Sequence, residues 1–266
     1  MILPKCFRSI NFFLKLRLLA ICVLLLFLFS CETKKSKAID ESVQNNVELN
    51  VQEDEVVIED KKEIDAITLD LLTILKGDPF LWVLVDKSHP IGDYEPQDLV
   101  VLKSTNYDNT AGIQLREIAA AALEEMAVAA LKDGVKLNVS SAYRSRSYQT
   151  NLYNRYVKTM GQEATDRVSA RPGYSQHQLG LIVDFYPVAN SFAKSAEGIW
   201  VKANASKFGW SISYPDGYEE LTGYSWESWH YRYVGKELAE FIDKYFDGIQ
   251  QNALVFIDKT LEKIAS

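Results

Sequence analysis

The chain has 266 residues and a formal net charge of −7, with 36 acidic against 29 basic residues. This acidic balance, without a basic cluster, argues against a nucleic-acid-binding protein. A chain of this size can be stable on its hydrophobic core alone.

The N-terminus has the features of a secretion signal. An apolar run of 12 residues, Leu18–Phe29, follows a basic head that contains Lys5, Arg8, Lys15 and Arg17. A transmembrane helix needs about 20 apolar residues, so this run fits the core of a signal peptide better. The run ends before Ser30-Cys31, which resembles the lipidation site of a bacterial lipoprotein signal. We therefore predict a lipoprotein signal peptide over residues 1–30 with lipidation at Cys31; an ordinary signal peptide and an uncleaved anchor are the alternatives.

Cleavage would change the composition of the mature chain. Cys6 and Cys22 lie in the removed segment, so Cys31 would be the one remaining cysteine. This excludes an intramolecular disulfide and a structural zinc site made of cysteines. The four basic residues are lost with no acidic residue, so the formal charge moves from −7 to −11. We expect an extracytoplasmic protein that a lipid on Cys31 anchors to the membrane of a bacterial cell envelope.

The rest of the chain divides into a tether and one domain. Residues 31–60 are polar and acidic with few aromatics, which predicts a flexible tether, and 61–266 predict a folded domain. Helical spacing predicts helices over 61–76, 113–132, 147–160, 196–208 and 236–264. Short apolar runs predict strands over 81–85, 99–102, 137–143, 181–186, 210–214 and 230–234. These elements suit a single compact α+β domain, in which a small antiparallel sheet flanked by helices carries the functional site.

Two of the three histidines occur in patterns typical of metal ligands. The residues concerned are Ser175-x-His177, then Asp184, then Glu227-x-x-His230. Two histidines and one carboxylate can hold zinc and leave the fourth position open for water. The extra carboxylate of Glu227 could act as the base on that water. A zinc hydrolase is therefore the leading hypothesis.

The local sequence around these residues agrees with this hypothesis. Asp184 lies inside the apolar segment Leu181-Ile-Val-Asp-Phe185, where a buried carboxylate needs a strong partner such as a metal. A strand-end aspartate that caps a loop is the alternative. The aromatic run Trp226–Tyr233 favours a strand, and residues three apart face opposite sides of a strand. Glu227 must therefore lie in a turn that enters the strand if it is to reach the same site as His230.

A further element is Arg144, which lies where a predicted strand ends and the next helix begins. This position suits a guanidinium that projects into a cleft, where it could stabilise an oxyanion or hold a substrate carboxylate. Gln149 lies in the first turns of that helix and could face the same cleft. A surface salt bridge is the alternative for Arg144.

Together these segments resemble one family. The motifs are Tyr143-Arg-Ser145 with Gln149, Pro172-Gly-Tyr-Ser-Gln-His177, Gly180-Leu-Ile-Val-Asp184 and Glu227-Ser-Trp-His-Tyr-Arg-Tyr-Val-Gly235. They are similar to those of the VanY-type D-alanyl-D-alanine carboxypeptidases, which belong to the LAS zinc peptidases. The resemblance covers about residues 80–246. The chain departs from the family at Ser228, where proline is often found, and we expect this change to loosen the turn without removing a reacting group.

The resemblance implies a reaction and a role for each residue. The zinc ligands would be His177, Asp184 and His230; Glu227 would be the base; Arg144 would stabilise the oxyanion; and Ser175, Gln149, Tyr143 and Trp229 would contact the substrate. The reaction would remove a C-terminal D-alanine from peptidoglycan stem peptides. A monomer is the default expectation.

Three other functions remain open at this point. An L,D-carboxypeptidase that acts on the tetrapeptide stem shares these motifs, and an endopeptidase of the same superfamily is a more distant possibility. A non-catalytic wall-binding lipoprotein could keep the zinc fold. The presence of both Glu227 and Arg144 argues against it, because a decayed site should lose its base first.

Overall fold

A five-stranded mixed sheet lies at the centre of the computed structural model, which describes residues 66–265. In spatial order its strands are β2 (Asp108–Asn109), β4 (Asn138–Ser141), β5 (Ile182–Phe185), β7 (His230–Tyr233) and β6 (Trp210–Ile212). All neighbours are antiparallel except β2 and β4, which run parallel. The expected antiparallel sheet therefore has one parallel edge. Two further strands, β1 (Leu99–Val101) and β3 (Gln114–Arg116), form a separate antiparallel pair.

Helices and short 3-10 turns surround the sheet. The helices are α1 (66–75), α2 (Pro79–Trp82), α3 (Glu117–Lys132), α4 (Arg146–Met160), α5 (Gln162–Val168), α6 (Ala196–Asn204), α7 (Glu219–Thr222), α8 (Lys236–Phe246) and α9 (Gln250–Ala265). The 3-10 turns are Gln176–Leu179, Asn190–Lys194 and Ala205–Phe208. Residues Asp65–Asp258 form one compact unit. The expected α+β class is confirmed, and among residues 66–265 no helix has the length and apolar character needed to cross a bilayer.

The central strand β5 is buried along its whole length, which explains its almost continuous apolar sequence. Helix α3 buries one face, made of residues at helical spacing such as Ala119, Leu123, Met126 and Ala130. Burial of such side chains is the main favourable term in folding. The polar residue in β5, Asp184, therefore stands out against an apolar background.

The strand expected over 81–85 is wrong. The segment Pro79–Trp82 is a single helical turn, and 83–85 have no regular structure. The Asp78 side chain accepts a hydrogen bond from the backbone N–H of Phe80 at 2.9 Å, and proline fits the first helical turn because no N–H is needed there. Trp82 is buried from the helical turn and Val85 from irregular backbone, so neither is buried from a strand.

Several helix boundaries also differ from those expected. The helix predicted over 113–132 begins at Glu117, because Gln114–Arg116 pairs with β1. The helix predicted over 236–264 is two helices, separated where Asp247 and Gly248 adopt positive φ angles of 51° and 75°. Helix α5 was not predicted. The signal peptide, the tether and Cys31 lie outside the described residues.

One arginine of the sheet, Arg232 on β7, is completely buried. Its Nη2 donates to the carbonyl oxygens of Phe80, Leu81 and Val83 at 3.0, 3.3 and 2.9 Å. Burial lowers the pKa of Arg232 to about 9. These bonds fasten the segment around α2 to the strand that begins with His230.

Candidate active site

The site begins with Asp184, which lies in the middle of β5. Its register partners are Ser141 on β4 and His230 on β7. Residues that face each other across antiparallel strands present their side chains on the same side of the sheet. The sheet itself therefore brings a carboxylate, an imidazole and a hydroxyl together.

The second histidine reaches the same place from a loop. His177 lies in the 3-10 turn Gln176–Leu179, which ends at Gly180 with φ of 70°, and the chain then enters β5. A side chain on Gly180 would come within 2.9 Å of Arg116 Cγ, so the turn requires glycine for its conformation and for space. His177 Nδ1 lies 2.6 Å from the carbonyl oxygen of Ala142. Because a carbonyl can only accept, Nδ1 carries the hydrogen, and Nε2 is left with a lone pair.

The free nitrogen of His177 faces the carboxylate. Nε2 lies 3.3 Å from Asp184 Oδ2, while Nδ1 of His230 lies 3.1 Å from Oδ1 of the same residue. One ligand atom from each of the three residues can be chosen so that all three atoms lie within 4.8 Å of one another. All three side chains are buried.

The protonation states of His177 and Asp184 favour the binding of a cation. Burial, with the nearby Arg144 charge, lowers the pKa of His177 to about 4, so the ring is neutral at neutral pH. Burial alone would raise the pKa of Asp184, but the positive charge of Arg144, 2.6 Å away, holds it well below its usual range, so the carboxylate is charged. A lone pair of His177 thus faces a carboxylate oxygen with no proton between them. Two imidazoles and one carboxylate are a donor set that suits zinc, and these residues fit such an ion.

The second carboxylate of the site belongs to Glu227. It lies in a turn just before β7, as the sequence predicts, because the N–H of His230 bonds the Glu227 carbonyl oxygen at 3.3 Å. The N–H of Glu227 in turn donates to the carbonyl oxygen of Tyr214 at 3.0 Å. Glu227 Oε2 lies 3.5 Å from His230 Nδ1. Burial raises the pKa of Glu227 to about 7.

The cation of the site is Arg144, which follows β4. Its Nη2 lies 2.6 Å from Asp184 Oδ2, and Nε and Nη2 both donate to Ser141 Oγ. These bonds fix the plane of the guanidinium. Nη1 makes no hydrogen bond within the part of the chain that the structure describes. The pairing with Asp184 shows that Arg144 is not a surface salt bridge, since its partner is buried.

These groups face one cavity of about 470 Å³. Arg144, His177, Asp184, Glu227 and His230 all contribute to its walls. Its wall also contains residues that the sequence did not point to, among them Asn190, Tyr214, Tyr224, Trp226, Leu152 and Tyr156. The Tyr214 ring lies 4.8 Å from the His230 ring and from the Tyr224 ring, so it supports the metal side of the cavity.

Three of the four residues expected to contact substrate line this cavity, namely Ser175, Gln149 and Trp229. The Gln149 amide has a defined orientation, because Nε2 donates to the carbonyl oxygen of Ala170 at 2.7 Å and to Ser169 Oγ at 3.2 Å. Its Oε1 is buried and has no partner among the described residues. Gln149 therefore offers the cavity an acceptor, which suits a substrate N–H rather than a carboxylate.

The fourth residue, Tyr143, is not part of the cavity wall. Its backbone N–H donates to the carbonyl oxygen of Gln114 at 2.9 Å, beyond the end of β4. Burial and the charge of Glu95 raise the pKa of its phenol. The substrate contact of Tyr143 that the family resemblance implies stays a prediction.

Comparison with known proteins gives one family. The sequence model described as VanY, D-alanyl-D-alanine carboxypeptidase, matches residues 112–236. This range contains the three candidate metal ligands, Glu227 and Arg144.

Individual proteins agree with the family match. The putative carboxypeptidase YodJ of Bacillus subtilis (strain 168) is 33% identical over 236 residues, which are 82% of this chain and 86% of the relative. The solved LdcB LD-carboxypeptidase is 34% identical, with a TM-score of 0.60, over 65% of this chain and 85% of its own. A mutant of the vancomycin resistance D,D-pentapeptidase VanY from a VanB-type cassette, solved in complex with Zn(II), is 28% identical, with a TM-score of 0.56, over 66% of this chain and 99% of its own.

Proposed function

Because this chain belongs to the VanY family of D-alanyl-D-alanine carboxypeptidases, we propose that it is a zinc carboxypeptidase that removes the C-terminal D-alanine from peptidoglycan stem peptides. The observation that carries the proposal is the buried group of His177, Asp184 and His230 with Glu227 beside it in one cavity. The Zn(II) complex of the VanY structure supports zinc as the ion.

The three buried residues would hold the ion. Zinc, when bound, supplies Lewis acidity that can lower the pKa of a water molecule to about 7 and polarise a carbonyl group. The Nδ1 bond from His177 to Ala142 keeps Nε2 directed at the site, and partners of this kind commonly orient metal-binding histidines. The sheet register keeps Asp184 and His230 opposite each other.

Glu227 has the position of the general base. Its carboxylate lies in the cavity within 3.5 Å of a histidine that would hold the ion, so a water molecule in the site can donate a proton to it. Glu227 then returns that proton to the nitrogen of the leaving D-alanine. Cleavage consumes one water and releases D-alanine and the shortened peptide.

Arg144 and its neighbours would orient the peptide. Nη1 of Arg144 is available for the oxygen of the scissile carbonyl, where a fixed positive charge stabilises the developing oxyanion. Gln149 Oε1 would accept a substrate N–H, and the Ser175 side chain faces the same cavity. Trp229 would form part of the wall beside the reacting group.

One alternative has support of its own. The LdcB likeness makes an L,D-carboxypeptidase, which removes D-alanine from the tetrapeptide stem, the second candidate. Both reactions use the same metal ligands and base, so the difference lies in the residue that precedes the terminal D-alanine.

Matched stem peptides distinguish these two functions. We expect the purified protein with zinc to release D-alanine from the pentapeptide, and a chelator to abolish the release until zinc is restored. Mass spectrometry of both products measures this. Cleavage of the tetrapeptide alone would replace the D,D assignment by the L,D one, and release from neither peptide would remove both.

The base is tested by Glu227→Gln, which keeps the size of the side chain but removes its ability to accept a proton. We expect kcat to fall by at least about 100-fold, since a positioned general base contributes roughly 10²–10⁴-fold. Zinc content, measured by inductively coupled plasma mass spectrometry, should stay at the wild-type value. Unchanged turnover with zinc bound would exclude Glu227 from the reaction.

We further propose that a lipid on Cys31 anchors the protein outside the cytoplasm, where its substrate is found. The basic head, the apolar run and Ser30-Cys31 support this. The substitution Cys31→Ser should move the protein from the membrane to a soluble extracytoplasmic fraction, and membrane fractionation measures this. A variant that stays in the membrane would indicate an uncleaved anchor instead.

A further inference from the structure

A single side-chain amide holds both sides of the turn that carries Glu227. Asn190 Nδ2 donates to the carbonyl oxygen of Trp226 at 3.1 Å. Asn190 Oδ1 accepts the backbone N–H of Ser228, also at 3.1 Å. Trp226 and Ser228 are the residues directly before and after Glu227, so one amide binds the backbone on both sides of the base. We call these two hydrogen bonds of Asn190 the bracket.

The sequence of the turn explains why it depends on the hydrogen bonds from Asn190. Ser228 supplies a backbone N–H, which a proline at this position would lack. Its hydroxyl is buried and has no hydrogen-bond partner within the described residues, so the side chain itself does not fasten the turn. In this structure the turn is therefore fastened at position 228 by the bond to Asn190. It is held through the Ser228 N–H rather than by a fixed proline φ.

The bracket is attached to the strand that carries Asp184. Asn190 opens the 3-10 turn Asn190–Lys194, which follows β5 in the chain. Phe192 of this turn is buried and stacks on Phe185, the last residue of β5, with ring centroids 5.6 Å apart and planes at 4°. The position of Glu227 is thus linked to the metal-binding strand through Phe185, Phe192 and Asn190.

We propose that Asn190 is a positioning residue for Glu227. Its amide keeps the carboxylate at the distance from the ligands that proton transfer requires, and it does not take part in the reaction. This inference rests on the proposed function for the role of Glu227, but the bracket itself is a structural statement that can be measured separately. Asn190 is an exposed residue, so its truncation leaves no cavity in the core.

The kinetic test compares Asn190→Ala with Ser191→Ala, a matched truncation of the next, also exposed residue. We expect Asn190→Ala to lower kcat by about tenfold, because a displacement of about 1 Å at a reacting group can cost up to 100-fold. KM should stay within about twofold and zinc content should not change. Ser191→Ala should behave as wild type. Wild-type kcat in Asn190→Ala, or a loss of zinc in proportion to the loss of activity, would overturn the proposal.

A second readout does not depend on activity. Amide hydrogen exchange by NMR should show that Ser228 is protected in the wild type and in Ser191→Ala and exchanges faster in Asn190→Ala. If the Ser228 amide were as protected in Asn190→Ala as in the wild type, the proposal that Asn190 holds the turn would be wrong even if kcat fell. If the wild type released no D-alanine from any stem peptide, the proposed function would be wrong. The hydrogen-exchange measurement would still show whether Asn190 holds the turn at Ser228.

A double-mutant cycle with Ser228→Pro identifies the bond that matters. Proline removes the N–H that Asn190 accepts, so only the bond to Trp226 is left for truncation to break. We expect Asn190→Ala to lower kcat by less than about threefold in the Ser228→Pro protein, compared with about tenfold in the wild type. Equal effects in both backgrounds would show that the bond to the Ser228 N–H does not position Glu227.

Discussion

The Asp184 carboxylate is charged in the middle of a buried strand, and the rest of the site depends on how that charge is compensated. An isolated carboxylate is costly to remove from water, and it remains ionised in an apolar interior only beside cations or strong donors. Here Arg144 contacts one oxygen at 2.6 Å, and the two imidazoles contact both. The neutral His177 ring adds a lone pair rather than a proton. A metal ion with these ligands would complete the compensation, so the buried carboxylate of β5 lies at the centre of the candidate metal site.

The two kinds of element in the site have different tasks. The sheet provides fixed distances, because the register between β5 and β7 sets Asp184 opposite His230. Loops provide the groups that would face both the ion and the substrate, and each loop is fastened by hydrogen bonds. The His177 turn is fastened at Ala142, the Glu227 turn at Tyr214 and Asn190. Groups held in fixed positions in this way are preorganised for reaction.

The sequence predicted the reactive groups better than their surroundings. Asp184 was recognisable because a carboxylate among strand hydrophobics needs a partner, and Glu227 could be placed in a turn from strand geometry alone. The prediction of a strand over 81–85 was wrong because apolar residues can also be buried where the backbone has no strand structure. Here the segment begins with a helical turn that starts at a proline and is capped by Asp78. The parallel edge strand β2 has two residues, and they pair with residues of β4 that lie about 30 positions further along the chain. No local pattern in the sequence predicts such a pairing.

Other features could not be predicted because they arise from tertiary contacts. Asn190 lies in a polar loop 37 residues before Glu227, and no local pattern relates an asparagine to a turn so far along the chain. Tyr143 is adjacent to Arg144 in the sequence, yet only Arg144 lines the cavity.

The central claim is that Asp184 and the two histidines form a metal site, and a calorimetric zinc titration tests it most directly. The comparison needs three proteins: the wild type, Asp184→Asn, and Asp216→Asn as a matched change at an exposed carboxylate. Our account predicts one zinc per chain in the wild type and in Asp216→Asn, with an affinity at least about tenfold weaker in Asp184→Asn. Equal affinity in all three proteins, or no saturable binding by the wild type, would contradict it.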